Sequence, residues 1–280
     1  MNYLDYEEVL KRLPDRDADT HKGDYGKILL VCGSRGYTGA PALAAMGALR
    51  TGAGLVYLCV PESIYLIEAA KLLEPVILPL EDESGRVSPN AIPALMQYLN
   101  NKDAVLIGPG LGQSEGTFLV VKAVLEAFDG PVVVDADGIN VLAKHKNILR
   151  DRTCPTIITP HEGEFQRICN TKEVNRVSKA VNLAQELGII VLLKGNRTVI
   201  TDGKTTYINS TGNPGMAVGG SGDVLAGMIV SLLGQGLEPL EAAACAAWLH
   251  GAAGDICAEE IGQYGMLPSD IVHVLPQILK

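Results

Sequence analysis

Residues Lys27–Arg50 read KILLVCGSRGYTGAPALAAMGALR. A largely apolar run, Lys27–Cys32, leads into a seven-residue segment with three glycines, Gly33–Gly39, and then into an alanine-rich stretch, Ala40–Arg50. The run lacks polar alternation, so it predicts a strand buried on both faces, as in a parallel sheet covered by helices. The unit is therefore strand, glycine turn, helix. It recurs outward along the chain. Leu55–Val60, Val76–Leu80, Ala104–Ile107, Val132–Asp135, Thr156–Thr159 and Ile189–Lys194 read as further buried strands. Between them, Glu62–Lys71, Pro89–Leu99, Glu115–Phe128, Gly138–His145, Gly163–Cys169 and Asn175–Leu187 read as helices. Thr198–Thr201 and Thr205–Asn209 read as a hairpin, and Asp223–Leu233, Leu240–Ala258 and Pro268–Leu279 as three closing helices. The first ~15 residues read as an N-terminal helix or arm. Strand–helix alternation with no linker or repeat predicts one α/β domain.

In an open α/β sheet, ligands sit beyond the carboxyl ends of the strands. Five polar or glycine-rich segments follow predicted strands: Gly33–Gly39, Gly108–Gly112, Asp135–Gly138, Thr159–Glu164 and Lys194–Arg197. All should line one edge, and Asn213–Gly227 (NPGMAVGGSGDVLAG) should close on it. That last stretch is a glycine-rich turn feeding a helix. First-turn N–H groups are unpaired and the helix dipole favours an anion there. The N–H groups of Gly220, Ser221 and Gly222 form the expected anion hole. Asp223 would repel a phosphate, so it reads better as a base acting on a hydroxyl that attacks one. The bland alternative makes Ser221 an N-cap and Asp223 a first-turn acid. The local field is expected to keep Asp223 ionised and weakly basic.

The other candidates carry similar pairs of readings. Lys194–Thr198 is a solvated turn or a nucleotide-holding loop. His161, in Thr159–Glu164 (TPHEGE), is a structural hydrogen-bonder or a ligand contact. Glu164 is a first-turn acid or a ligand of hydrated Mg²⁺, an ion that commonly takes one or two carboxylates plus phosphate oxygens. Gly33–Gly39 and Gly108–Gly112 are plain turns or backbone surfaces over a flat ligand, with Ala40 important for being small. His250 reads as a packed histidine. The alanines at 242–244, 246 and 247 predict close helix packing, extending to a subunit contact.

Composition removes several classes. The net charge is −9 and no basic run occurs, so no nucleic-acid partner is expected. No apolar run is long enough to span a bilayer and the N-terminus is no signal peptide. The six cysteines are scattered without zinc spacing, which fits reduced thiols in the cytoplasm. Neither the P-loop nor the dinucleotide glycine fingerprint is present.

NPGMAVGGSGDVLAG resembles the C-terminal signature of the ADP/ATP-dependent NAD(P)H-hydrate dehydratases, a branch of the ribokinase-like superfamily. HKGDYGKILLVCGSRGYTGAP, IGPGLG, VVDADGIN, TPHEGE and KGNRT resemble further family segments in the same order, over nearly the whole chain. Cys32 and Tyr37 depart from the family pattern, which often has glycine and methionine there. The resemblance implies a ribokinase-like three-layer sandwich, a mostly parallel central sheet with helices on both faces, in a single domain over residues 1–280 without a fused epimerase domain. It implies a lyase that repairs the S-form of hydrated NADH or NADPH (NADHX, NADPHX): the C6 hydroxyl is phosphorylated by ADP or ATP and phosphate is eliminated. It places Ala40, Gly110 and His161 against the hydrated dinucleotide. Lys194, Gly195, Asn196, Arg197, Thr198 and Gly222 fall around the adenine nucleotide, and Asp223 at the reacting hydroxyl. It also implies a Mg²⁺ requirement and a homo-oligomer, commonly a tetramer. Two other classes stay open: a ribokinase-like kinase for a vitamin-precursor alcohol, and a non-catalytic nucleotide-binding sensor.

Overall fold

The computed structural model describes residues 1–169 and 171–279. Among the described residues eleven strands form, in chain order: β1 (Lys27–Val31), β2 (Leu55–Pro61), β3 (Val76–Leu80), β4 (Asp82–Glu83), β5 (Arg86–Val87), β6 (Ala104–Ile107), β7 (Val132–Val134), β8 (Thr156–Ile158), β9 (Ile190–Leu193), β10 (Val199–Thr201) and β11 (Thr206–Ile208). Nine of them make one sheet in the order β11-β10-β9-β8-β7-β6-β1-β2-β3. From β9 through β3 every neighbour is parallel; β10 and β11 add antiparallel at the other edge. The expected three-layer α/β sandwich is what the chain builds.

The strands are apolar on both faces because each face meets its own layer of helices. Along β1, Ile28 and Leu30 enter one core with the helices Gly39–Arg50, Ser221–Gly234, Pro239–Glu260 and Pro268–Ile278. Leu29 and Val31 enter the other, with Ile92–Leu99, Glu115–Ala127, Asp137–Leu142, Glu162–Ile168 and Arg176–Leu187. The sheet grows from β1 in two directions, to β2 on one side and β6 on the other. The crevice at such a switch point lies outside the carboxyl ends of those strands. Here it is walled by Gly33–Gly39 and Gly108–Gly112.

Two glycines set the spacing of the helices that frame the site. A Cβ on Gly227 would lie 2.0 Å from the Ala44 carbonyl oxygen, and one on Gly47 would lie 2.6 Å from that of Val224. The helices Gly39–Arg50 and Ser221–Gly234 therefore pack backbone to backbone. The alanines at 242–244, 246 and 247 are buried inside the chain itself. Their helix packs on both Ser221–Gly234 and Pro268–Ile278, so the subunit contact expected of them is corrected to an internal one.

Smaller differences have local causes. Pro89–Leu99 divides into a 3₁₀ turn, Pro89–Ala91, and a helix from Ile92, with Pro93 at its second position. β4 and β5 form a hairpin through Ser84 and Gly85, both at positive φ. The N-terminal arm contains the helix Tyr6–Leu10, capped by Asp5, and Asn2 bridges to Tyr207 at the sheet edge. Among the described residues no helix is long and apolar enough to cross a membrane, and all six cysteines are free thiols.

Candidate active site

The helix Ser221–Gly234 starts from Gly220, whose φ of +100° is a left-handed conformation open chiefly to glycine. A side chain there would also strike Leu43, whose Cδ1 would lie 2.5 Å from its Cβ. Ser221 is the first helical residue and does not cap: its N–H donates to the Val218 carbonyl at 3.3 Å, and its hydroxyl lies 3.4 Å from His250 Nε2. The N-cap reading of Ser221 is corrected accordingly, because Gly220 turns the chain into the helix without a side-chain cap. Of the three expected anion-hole donors, Gly220 and Gly222 have N–H groups without an acceptor among the described residues, and Asp223 adds another. His250 is buried, and burial pushes its pKa down to about 4, so it packs as a neutral ring.

Asp223 is half-buried and accepts no hydrogen bond among the described residues. Its pKa is pushed up to about 7 by burial first and by the nearby Asp135 carboxylate second, against the opposing pull of Lys194. The expectation of a firmly ionised, weak base is corrected. The helix dipole is outweighed by desolvation and a like charge.

The strand ends hold the opposite arrangement. Asp135, 1% exposed, accepts from Thr159 Oγ1 at 2.7 Å and from Lys194 Nζ at 2.9 Å. Glu164 Oε2 lies 3.9 Å from the same ammonium. Burial alone would pull the Lys194 pKa down, but Asp135 and Glu164 outweigh it and the net direction is up. The ammonium also neighbours the helix start: a Cβ on Gly222 would lie 3.2 Å from Nζ. Lys194 thus joins the strand-end acids to the glycine turn that opens the helix Ser221–Gly234.

Between Asp135 and Asp137, Ala136 takes φ +50°, ψ −116°, a costly conformation for a residue with a Cβ. It sends the two acids to different tasks. Asp137 accepts from Gly112 N–H at 2.8 Å and from Gln113 Nε2 at 3.0 Å, which fixes the Gly108–Gly112 loop. That loop meets the Gly33–Gly39 segment: Ser34 Oγ donates to the Gly110 carbonyl at 2.7 Å, and a Cβ on Gly110 would lie 3.0 Å from Ala40 Cβ. Lys71 Nζ donates to the Thr38 carbonyl at 2.6 Å from the outer side. Ala40 and Gly110 are therefore neighbours, with the Tyr37 side chain 61% exposed beside them.

His161 caps the helix Glu162–Ile168. Its Nδ1 accepts from Gly163 N–H (3.0 Å) and Glu164 N–H (3.3 Å), so the neutral ring carries its proton on Nε2. The ring remains 56% exposed at the edge. Glu164 completes the cap by accepting from His161 N–H at 2.8 Å. Of its two expected uses, the geometry shows the first-turn one. Among the described residues no three His, Cys, Asp or Glu side chains converge on a metal position.

Gly195, Asn196 and Arg197 are exposed and Lys194 and Thr198 half-buried. Thr198 Oγ1 donates to the Gly195 carbonyl at 2.9 Å. Arg197 turns outward, and its Nη2 donates to Tyr3 Oη at 2.8 Å. The structure thus gathers Lys194, Gly222, Glu164 and His161, and separately Ala40 and Gly110, at one edge; the Arg197 side chain points away to the N-terminal arm. Arg176, which the sequence gave no reason to single out, lies beneath this loop.

A family model described as NAD(P)H-hydrate dehydratase matches residues 28–277. The bifunctional NAD(P)H-hydrate repair enzyme Nnr of Moorella thermoacetica is 45% identical over 276 residues, which is 96% of this chain and 52% of that protein. Its namesake in Thermofilum pendens is 42% identical with the same coverage. The chain spans about half the length of the curated relatives it matches. Among solved structures, the ADP/ATP-dependent NAD(P)H-hydrate dehydratase from Bacillus subtilis, co-crystallised with ATP and Mg²⁺, superposes with a TM-score of 0.84 at 33% identity, covering 98% of this chain and 96% of that one. The hydroxyethylthiazole kinase of Pyrococcus horikoshii (TM-score 0.69, 18% identity, 98% and 94% covered) shares the fold.

Proposed function

The chain belongs to the NAD(P)H-hydrate dehydratase family, and we propose that it removes water from the S-form of hydrated NADH and NADPH at the expense of ADP or ATP. One observation carries the reading: a half-buried acid without a hydrogen-bond partner, held at about 7, stands at a helix start with open N–H groups. A carboxylate of that basicity is suited to take a proton from an alcohol near neutral pH. Asp223 would accept the proton of the C6 hydroxyl as its oxygen attacks the terminal phosphoryl group. The N–H groups of Gly220 and Gly222, with Lys194 alongside, would receive the charge on the transferred group. AMP leaves when ADP is the donor, ADP when it is ATP. The ring nitrogen then expels phosphate from C6 and a C5 proton departs, restoring the dihydronicotinamide.

Half-buried Ala40, packed beside buried Gly110, would form the wall facing the nicotinamide ring, and the exposed His161 ring, whose Nε2 lies 3.5 Å from Glu164 Oε1, would meet a phosphate or ribose oxygen of the same ligand. Lys194–Thr198 and Gly222 would hold the adenine nucleotide. The acids at this edge do not form a resident metal site, since Asp135 and Asp137 are engaged and Glu164 would have to release the His161 N–H. Mg²⁺ would arrive as part of the metal–nucleotide substrate, where it neutralises phosphate charge. We assign the chain to the reducing cytoplasm on its six free thiols, and treat residues 1–280 as one catalytic unit. A homotetramer would need a surface other than the alanine-rich helix; exposed Leu66, Ile67, Leu73 and Val76 offer one.

The test is incubation with hydrated NADH, Mg²⁺ and either ADP or ATP. Return of reduced-nicotinamide absorbance with release of phosphate is expected. Accumulation of a phosphorylated alcohol without that return would make the protein a kinase, and nucleotide binding without turnover a sensor.

A further inference from the structure

Arg176 opens the helix Arg176–Leu187, 18 residues before Lys194. Its Nη2 donates to the carbonyl oxygens of Leu193 and Lys194, each at 3.0 Å, and its Nη1 to that of Asn196. Gly195, at φ +142°, leaves room for this: a Cβ there would lie 2.9 Å from Nη2. The guanidinium is itself fixed from behind. Nε donates to Glu162 Oε1 at 2.7 Å, while Lys179 Nζ, on a side chain 8% exposed, holds the other Glu162 oxygen. Burial would raise the Glu162 pKa, but the two cations outweigh it and pull it below the usual carboxylate range.

One planar cation therefore collects three carbonyls from one side of the loop. The N–H groups of Gly195, Asn196 and Arg197 find no acceptor among the described residues, while Asn196 and Arg197 make a turn that Thr198 closes on Gly195. Consecutive free N–H groups form a concavity for an anion. A loop this short and exposed, without Arg176, would sample many conformations and present those donors in none of them reliably.

We propose that Arg176 is a positioning residue for the adenine nucleotide: by clamping the carbonyls of Leu193, Lys194 and Asn196 it holds the N–H groups of Gly195–Arg197 ready for the ligand. Glu162 orients the clamp. The inference rests on reading Lys194–Thr198 as the nucleotide loop.

The test uses the whole chain and four proteins: wild type, Arg176→Gln, Arg176→Lys and Glu162→Gln. ADP affinity is measured directly by calorimetry, and KM is measured for ADP and for hydrated NADH separately. Charge-assisted hydrogen bonds of this kind predict about a tenfold loss of ADP affinity and a matching rise in KM for ADP in Arg176→Gln. KM for hydrated NADH should stay within about twofold, because the Ala40–Gly110 wall is untouched. Arg176→Lys should restore part of the affinity and Glu162→Gln should lose a smaller part. Unchanged ADP affinity in Arg176→Gln, or equal rises in both KM values, would overturn the proposal. Should Arg176→Gln fail to fold, unchanged ADP affinity in both Arg176→Lys and Glu162→Gln would overturn it. If wild type binds ADP yet returns no reduced nicotinamide, the repair reading falls while the calorimetry still decides the role of Arg176.

Discussion

Two carboxylates at the same sheet edge have opposite surroundings. Asp135, at the end of β7, is buried, paired with Lys194 and hydrogen-bonded by Thr159. Asp223, at the start of the helix Ser221–Gly234, has no such partner and is pushed up to about 7. Asp135 is a fixed charge that holds the cation and, through repulsion, raises Asp223. The difference shows how one fold can lock one acid in an ion pair while pushing another toward neutrality.

The comparison breaks most severely at Asp223 itself. Asp223→Asn should lower turnover by a general-base factor of ~10² to 10⁴, with ADP affinity retained in calorimetry. Next comes Lys194→Met, which strands the buried Asp135 charge. It should cost ~3 kcal/mol of stability in denaturant melts and move the Asp223 pKa further up, since Lys194 is the cation that lowers it.

Asp223 should also leave a mark on stability. Its folded pKa exceeds the unfolded value, so the folded state binds the extra proton between about 4 and about 7. Its contribution is fully present below the unfolded pKa and is lost as pH rises through about 7. Asp223→Asn should therefore melt higher than wild type at pH ~8, with the gap closing toward pH ~4. The smallest effect is expected at Glu164. Glutamine at that position still accepts the His161 N–H in a capping box, so Glu164→Gln should change the Mg²⁺ dependence and turnover less than about twofold. A large loss would restore Glu164 as a metal ligand.

Much of this contrast was hidden in the sequence. The strands were legible because uniform apolar runs such as Val132–Val134 leave little else to form, and the strand-end rule then collected loops that the structure brings to one edge. β4 and β5 were not, since two-residue strands carry no periodicity. Short polar Asn147–Asp151 likewise gave no helical pattern. Asp223 stood out through its glycines, but its raised pKa depends on burial and on Asp135, 88 positions away in the chain. Arg176 looked like an ordinary first-turn residue, because its partners lie in a loop that only tertiary packing brings above it. The alanines at 242–244 announced close packing, but small side chains do not tell a neighbouring helix of the same chain from a second subunit.

The central claim, that Asp223 is the base and Asp135 tunes it, is tested most directly by the pH dependence of kcat/KM for hydrated NADH in wild type and Asp135→Asn. Wild type should gain activity as pH rises and level off above a midpoint near 7. Asp135→Asn should move that midpoint down, because the repelling charge is gone and Lys194 is released toward Asp223. A wild-type profile flat through this range, or a midpoint that does not move in Asp135→Asn, would contradict the account.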